Sequence, residues 1–183
     1  MHPIKHFITI TRHRHKVMHY CFKVGIGFQG LFHDLSKYSF KEFWTGAKYY
    51  SGKRSPNSIE RESKGYSAAW LHHKGRNKHH FEYWLDIVEN QYIPIQIPIR
   101  YLKESFCDRI AACKVYKKKD YTRYSALEYY QEKKTKDVLH PSTEIVLKTW
   151  LGWICEFGEK EAFKKVKKIK TYQDMETYFL KIK

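Results

Sequence analysis

Gly30-Leu31-Phe32-His33-Asp34-Leu35-Ser36-Lys37 sets a histidine beside an aspartate inside an apolar run and closes that run with a lysine. Desolvating a carboxylate next to an imidazole among Leu and Phe costs several kcal/mol unless another charge offsets it. A divalent metal ion is the usual compensator for that pair of donors. Two side chains do not complete a coordination sphere, so the fold has to bring further ligands to this pair from distant segments.

The flanking sequence reads as helix almost throughout. Helices are expected over Ile4–Val24, ending at Gly25-Ile26-Gly27, and over about Phe28–Lys37. Ser39 is then placed to cap a third helix, with Glu42 at the capping-box position and Phe43, Trp44, Ala47 and Tyr50 as its apolar stripe. After the turn-rich loop Ser51–Ser58 comes a helix over about Ile59–His73, a polar break at Lys74-Gly75-Arg76-Asn77-Lys78, and a helix from His79 to about Asn90. Tyr92–Pro98 alternates apolar residues but holds two prolines, so it reads as an extended connection. Helices follow at about 99–117, 124–134, 142–157, 159–169 and 172–182, with Pro141 as a start signal and Gly158 as a stop. The fold class is therefore all-α, a compact helical bundle in one domain over residues 1–183. Its core spans about 8–117, with C-terminal helices at about 124–183.

Eleven histidines need sorting by helical phase, at about 100° per residue. His13 shares a face with Ile10, Val17, Tyr20 and Val24, whereas His15 and His19 fall among Arg12, Lys16 and Lys23. His73 lies on the stripe of Tyr66, Ala69 and Trp70; His72 does not. His80 lines up with Tyr83, Trp84 and Ile87, and His79 lies beside Glu82 and Asp86. Asp108 sits among Tyr101, Ser105, Ala112 and Val115, where an ion pair with Arg109 or a lysine is the bland explanation. Taken together these are six inward imidazoles and carboxylates on five helices, enough for two metals sharing Asp34. The donor set suits Mn, Fe, Ni, Co or Zn.

Composition adds an anionic partner to this picture. Lys+Arg at 35 against Asp+Glu at 19 gives +16, which favours nucleotides, phosphate esters or nucleic acid. The runs Lys117-Lys118-Lys119, Lys133-Lys134 and Lys164-Lys165 with Lys167-Lys168 lie far from the densest histidine clusters and equally suit a solvated basic face. The cysteines, Cys21, Cys107, Cys113 and Cys155, form no C-x-x-C pair and read as buried free thiols of a reducing compartment. No run approaches the ~18 apolar residues of a membrane span. A soluble cytoplasmic protein is the expectation.

The order H…HD…H…H…D on separate helices resembles the HD superfamily of metal-dependent phosphohydrolases. His33-Asp34-Leu35-Ser36-Lys37 stands where that superfamily has H-D-x-G-K, with Ser36 replacing the glycine. The segments R-H-R-H-K-V-M-H-Y-C, H-D-L-S-K-Y-S-F-K-E-F and A-W-L-H-H-K-G-R-N-K-H-H-F-E-Y-W are similar to a narrower bacterial family of unknown function, over about residues 8–160. Some of its members carry a catalase label, but no haem-binding motif stands out here.

The superfamily resemblance implies His13, His33, Asp34 and Asp108 as ligands of one metal, and His73 and His80, with His79 as a further candidate beside them, as those of a second. It implies metals that acidify a water and polarise a phosphoryl oxygen, for in-line attack on phosphorus. Lys37, Lys74, Arg76, Asn77 and Lys78 are then candidates for holding the phosphate. Glu82 is a candidate for orienting a histidine or shuttling a proton. The expected activity is a phosphohydrolase acting on a nucleotide or another phosphate ester. Two alternatives stand beside it: an oxygenase using the same ligand order around two irons, and a basic nucleic-acid-binding module whose metal is structural.

Overall fold

The computed structural model describes residues 1–132 and 139–181. Among these residues it is mostly helical, with one small antiparallel hairpin. Lys133, Lys134 and Ile182, and with them the expected ends of two helices, lie outside the described residues.

Helix α1 (Pro3–Lys23) starts on a proline whose fixed φ suits a first helical position, and it buries His6, Ile10, His13, Val17, Tyr20 and Cys21. That is the face read from the sequence. The chain reverses at Gly25 and enters the short α2 (Gly27–Leu31). A Cβ on Gly30 would lie 2.5 Å from the Cβ of Cys21, so only glycine lets α2 cross α1 this closely. The crossing delivers His33 and Asp34 to the flank of His13.

The expected helix through Lys37 breaks at that pair. Asp34 is left-handed (φ 55°, ψ 25°), and a 3-10 turn, Leu35–Tyr38, follows. The left-handed residue of the motif is thus Asp34 and not Ser36, which explains why serine is tolerated there. Helix α3 (Phe40–Lys48) starts after Ser39, but no side-chain cap forms. Glu42 is buried instead and accepts from two histidines of a later helix. Of the expected stripe Ala47 is buried, whereas Trp44 is exposed.

Where one helix over Ile59–His73 was expected there are two, α4 (Pro56–Lys64) and α5 (Ala68–Lys74). Gly65 closes the first with φ +80°, and Ser67 caps the second by accepting from the Trp70 N–H at 3.0 Å. The helix expected from His79 to Asn90 does not form. A 3-10 turn, Phe81–Trp84, leads into a hairpin of β1 (Leu85–Val88) and β2 (Gln91–Pro94), with Val88 opposite Gln91. Glu89 and Asn90 both take positive φ, the turn that matches strand twist, between pairs of β-formers.

Helix α6 (Ile99–Lys117) has the expected bounds. Then come α7 (Ser125–Glu132), α8 (Pro141–Lys168) and α9 (Tyr172–Lys181). The expected boundary inside α8 survives as a kink, because Gly158 is non-helical at φ 77° and ψ 166°. The core lies between α1, α6 and α8: Val17, Tyr20, Leu102, Phe106, Leu147, Trp150 and Phe163 are all buried in one cluster. Each fully buried side chain of that size contributes about 1.5–3 kcal/mol, which makes α1 and α6 a rigid base for the polar groups they carry.

Candidate metal centre

Two groups of donor atoms meet at Asp34. The first combines His13 from α1, His33 and Asp34 from the break after α2, and Asp108 from α6. The second combines Asp34 with His73 from α5 and with His79 and His80 from the turn that follows. Asp34 serves both through different oxygens. Its Oδ2 lies 3.7 Å from His13 Nε2 and 3.2 Å from His33 Nε2. Its Oδ1 lies 3.2 Å from His73 Nε2 and 3.5 Å from His79 Nε2. Asp108 Oδ1 closes the first group at 2.9 Å from His13 Nε2 and 3.6 Å from His33 Nε2.

These separations suit a shared cation. Ligands about 2.1 Å from one ion stand about 3.0 Å apart at a right angle and about 3.4 Å apart in a tetrahedron. The donors themselves are otherwise idle. His13, His33, His73, His79 and His80 each leave Nε2 buried without a hydrogen-bond partner, and so does Asp34 Oδ1, while Asp34 Oδ2 lies against the Lys37 ammonium. Six such orphaned atoms converging in one place are costly unless a cation fills their lone pairs. The residues fit a divalent metal.

The opposite ring nitrogens make that fit specific. His33 Nδ1 lies 2.7 Å from Glu104 Oε1, and His79 Nδ1 lies 3.2 Å from the same oxygen. His73 Nδ1 lies 2.8 Å from Glu42 Oε2. A carboxylate accepts a hydrogen bond from Nδ1–H, which leaves the Nε2 lone pair of the neutral ring facing the site. Glu104 is itself held by Gln29, whose Nε2 donates to Oε2 at 2.5 Å. Asn77 donates to Ser36 Oγ and to the His73 carbonyl, bracing His73 from behind.

Protonation follows this geometry. Burial opposes charge on every group here, and for Asp34, Glu104 and Lys37 the mutual pairing wins. The Asp34 carboxyl is held well below its usual range by His33, Lys37 and His73 despite burial. The Glu104 carboxyl is brought down to about 2, its bonds with His33 and His79 overcoming burial. Burial, joined by the charges of His79 and His73, pushes His80 well below the ordinary imidazole range, so it enters the site as a neutral donor. Lys37 stays cationic: against burial, the charges of Asp34 and Asp108 raise its pKa, and Nζ lies 2.5 Å from Asp34 Oδ2.

A cavity of about 840 Å³ opens onto both groups. Lys37, Glu82, His73, His79, His80 and Asp108 line it. Lys74, Arg76, Asn77 and Lys78 do not. Arg76 donates to the His72 carbonyl, Asn77 is occupied as described, and Lys78 lies over the rings of Tyr83 and Tyr101. Asp108 faces His13 rather than Arg109, whose guanidinium lies over Phe81 and Tyr130.

Glu104, Glu42 and Gln29 escaped the sequence reading. Glu104 had a usable signal: it precedes Asp108 by four residues, so both carboxylates share one face of an otherwise core-forming helix. Glu42 was read as a helix cap because its spacing from Ser39 fits one. His6 also lies buried in the cavity wall, where burial and then Lys37 bring its pKa down to about 4.

Fold and site together define a mostly helical protein carrying a buried His/Asp cluster that can hold metal ions. The chain belongs to a family of unknown function (DUF5662), which matches residues 2–152 and so takes in every donor of the cluster. No curated protein and no solved structure matches it. Among the described residues no helix is long and apolar enough to cross a membrane.

Proposed function

We propose that the protein is a metal-dependent phosphohydrolase of the HD type, acting on a nucleotide or another phosphate ester at a mono- or dinuclear centre built around Asp34. The observation that carries this is the split of Asp34 between two donor groups, one oxygen to each, with five orphaned imidazole nitrogens around it. Bound divalent ions would supply Lewis acidity towards a water and a phosphoryl oxygen. Glu104 and Glu42 hold the histidine rings in their donor orientation throughout. Lys37 lines the cavity beside Asp34, and its ammonium would face a phosphate if a metal took its place at that carboxylate. Glu82, half-buried in the cavity wall, is our candidate for carrying a proton to the leaving oxygen.

The test is elemental analysis of protein purified without chelator, followed by a panel of nucleotides and phosphomonoesters assayed with each added metal. One to two equivalents of a transition metal and turnover abolished by Asp34→Asn are expected. Asparagine accepts the left-handed backbone at this position, so the variant isolates the lost charge. A folded protein that binds no metal, or an Asp34→Asn variant with full turnover, overturns the reading. Iron content with oxygen uptake on a polyol, and no ester turnover, would assign the same ligands to oxygen activation. Nucleic-acid binding that falls steeply with salt and survives Asp34→Asn would place that function on the lysine-rich surface instead.

A further inference from the structure

Six Lys and Arg side chains line the cavity: Lys37, Lys53, Arg54, Arg61, Arg109 and Lys117. Three are committed to carboxylates, Lys37 to Asp34, Arg54 to Glu62 and Lys117 to Glu128. Lys53 and Arg61 are exposed. Arg109 alone of the six is drawn into the wall and forms no ion pair with a described residue.

Its setting is built rather than incidental. The guanidinium carbon lies 4.6 Å from the centre of the Phe81 ring and 5.2 Å from that of Tyr130, so two aromatic groups hold the plane of the fork. Nε is buried and donates to nothing. Asp108 and Glu82 act on it through space without pairing. A half-buried guanidinium whose Nε is unpaired costs free energy, and an anion that reaches it recovers part of that cost. The planar fork suits an oxyanion with two oxygens to offer.

We infer that Arg109 is the cavity's receptor for an oxyanion of the ligand, a phosphoryl or a carboxylate group. This rests on the proposed phosphohydrolase reading only for the preference between those two. The position next to Asp108 on α6 puts receptor and metal ligand on one rigid helix, so that a ligand gripped by Arg109 is held in register with the centre.

The experiment is calorimetric titration of the full chain as purified, its metal content measured, with inorganic phosphate and separately with succinate. Wild type, Arg109→Gln, Arg109→Lys and the control Lys5→Gln, at an exposed position of α1, are compared. The expected result is phosphate binding weakened about ten-fold or more in Arg109→Gln, partly retained in Arg109→Lys and unchanged in Lys5→Gln, with metal content constant. Arg109→Lys keeps the charge and loses the fork, so it decides the matter if Arg109→Gln loses its helical spectrum. Succinate binding that depends on Arg109 while phosphate binding does not supports the receptor and makes its ligand a carboxylate. Arg109-dependent phosphate binding in a protein without metal, or without ester hydrolysis, supports the receptor and removes the phosphohydrolase reading alone. Equal affinities in wild type and both Arg109 variants, or no binding of either anion by the wild type, overturn the inference.

Discussion

Replacing Glu104 by glutamine tests whether one carboxylate holds both metal-binding groups in shape. Glu104 is 5 % exposed, and its Oε1 serves His33 of the first group and His79 of the second at 2.7 and 3.2 Å. An amide keeps the acceptor but loses the charge. Each bond then falls from about 1.5–3 kcal/mol to about 0.5–1.5 kcal/mol, so the two together forfeit about 2 kcal/mol. A second cost follows from the other oxygen. With the amide oxygen on the histidines, the new NH2 meets Gln29 Nε2, which now donates to Glu104 Oε2 at 2.5 Å. Donor faces donor. Turning the Gln29 amide over does not cure this, because its Nε2 also donates to the Arg100 carbonyl at 3.3 Å, and its oxygen would replace it there.

The expected outcome is a metal affinity lowered about 10–100-fold at both groups, with the helical spectrum intact. Competition against a chromophoric chelator resolves the two affinities. Glu42→Gln provides the contrast. Glu42 takes the Nδ1 of His73 and of His72, and only His73 donates to the cluster, so one affinity should fall and the other hold. Unchanged affinities in Glu104→Gln would refute the reasoning, and a loss confined to one group would show that the carboxylate does not link them.

His13→Ala should weaken the first metal group by removing an orphaned donor, while His15→Ala, at an exposed position on the same helix, should leave metal content unchanged by elemental analysis. The two glycines of α8 should respond with opposite signs in thermal unfolding. Gly152→Ala adds a methyl into open space in helical backbone and should stabilise by about 0.5–1 kcal/mol. Gly158→Ala forces alanine to φ 77° and ψ 166° and should destabilise by about 1–3 kcal/mol. Lys103 gives a pH signature away from the centre. Its ammonium donates to the carbonyls of Val24 and Lys167, but burial, helped by Lys170, brings its pKa from 10.5 down to about 8. Between pH 8 and 10.5 the unfolded chain binds the extra proton, so this residue's contribution to stability rises with pH across that window. Lys103→Met should flatten the rise in chemical-denaturation curves, and an unaltered slope would contradict the assignment.

The parts of the fold that could be read in the sequence are those where packing enforces a single period. In α1 the apolar residues recur at helical spacing because one face meets α6 and α8, so His13 could be placed inward by phase alone. The bounds of α6 were legible because Pro98 precedes it. Phase failed where local chemistry overrides periodicity. Gly65 and Ser67 end one helix and cap the next within three residues, which a pattern of apolar positions does not register. Glu89-Asn90 turns a stretch that scores as helix into a hairpin, because two consecutive left-handed residues return the chain on itself. Ser39 and Glu42 match a capping box in spacing, yet a buried carboxylate gains more from two imidazoles than from one backbone N–H.

The same limit decides which adjacent pairs of polar residues can share a metal. Within a helix, neighbours point about 100° apart, so two adjacent imidazoles do not converge on one ion. His72-His73 obeys this: both lie on α5 and both reach Glu42, but only His73 also reaches Asp34. His33-Asp34 and His79-His80 escape it because each sits at a break. The left-handed turn at Asp34 brings its Oδ2 within 3.2 Å of the neighbouring His33 Nε2. His80 leaves the helical region altogether, at φ −87° and ψ 137°, and its ring closes to 4.1 Å from that of His79. A helix over 79–90 would separate these two rings, whereas the turn lets both histidines face Asp34. It follows that the breaks are part of the site. A change that restored helix through Asp34 or His79 would scatter donors without removing any, and metal binding should fail while composition, burial and charge stayed the same.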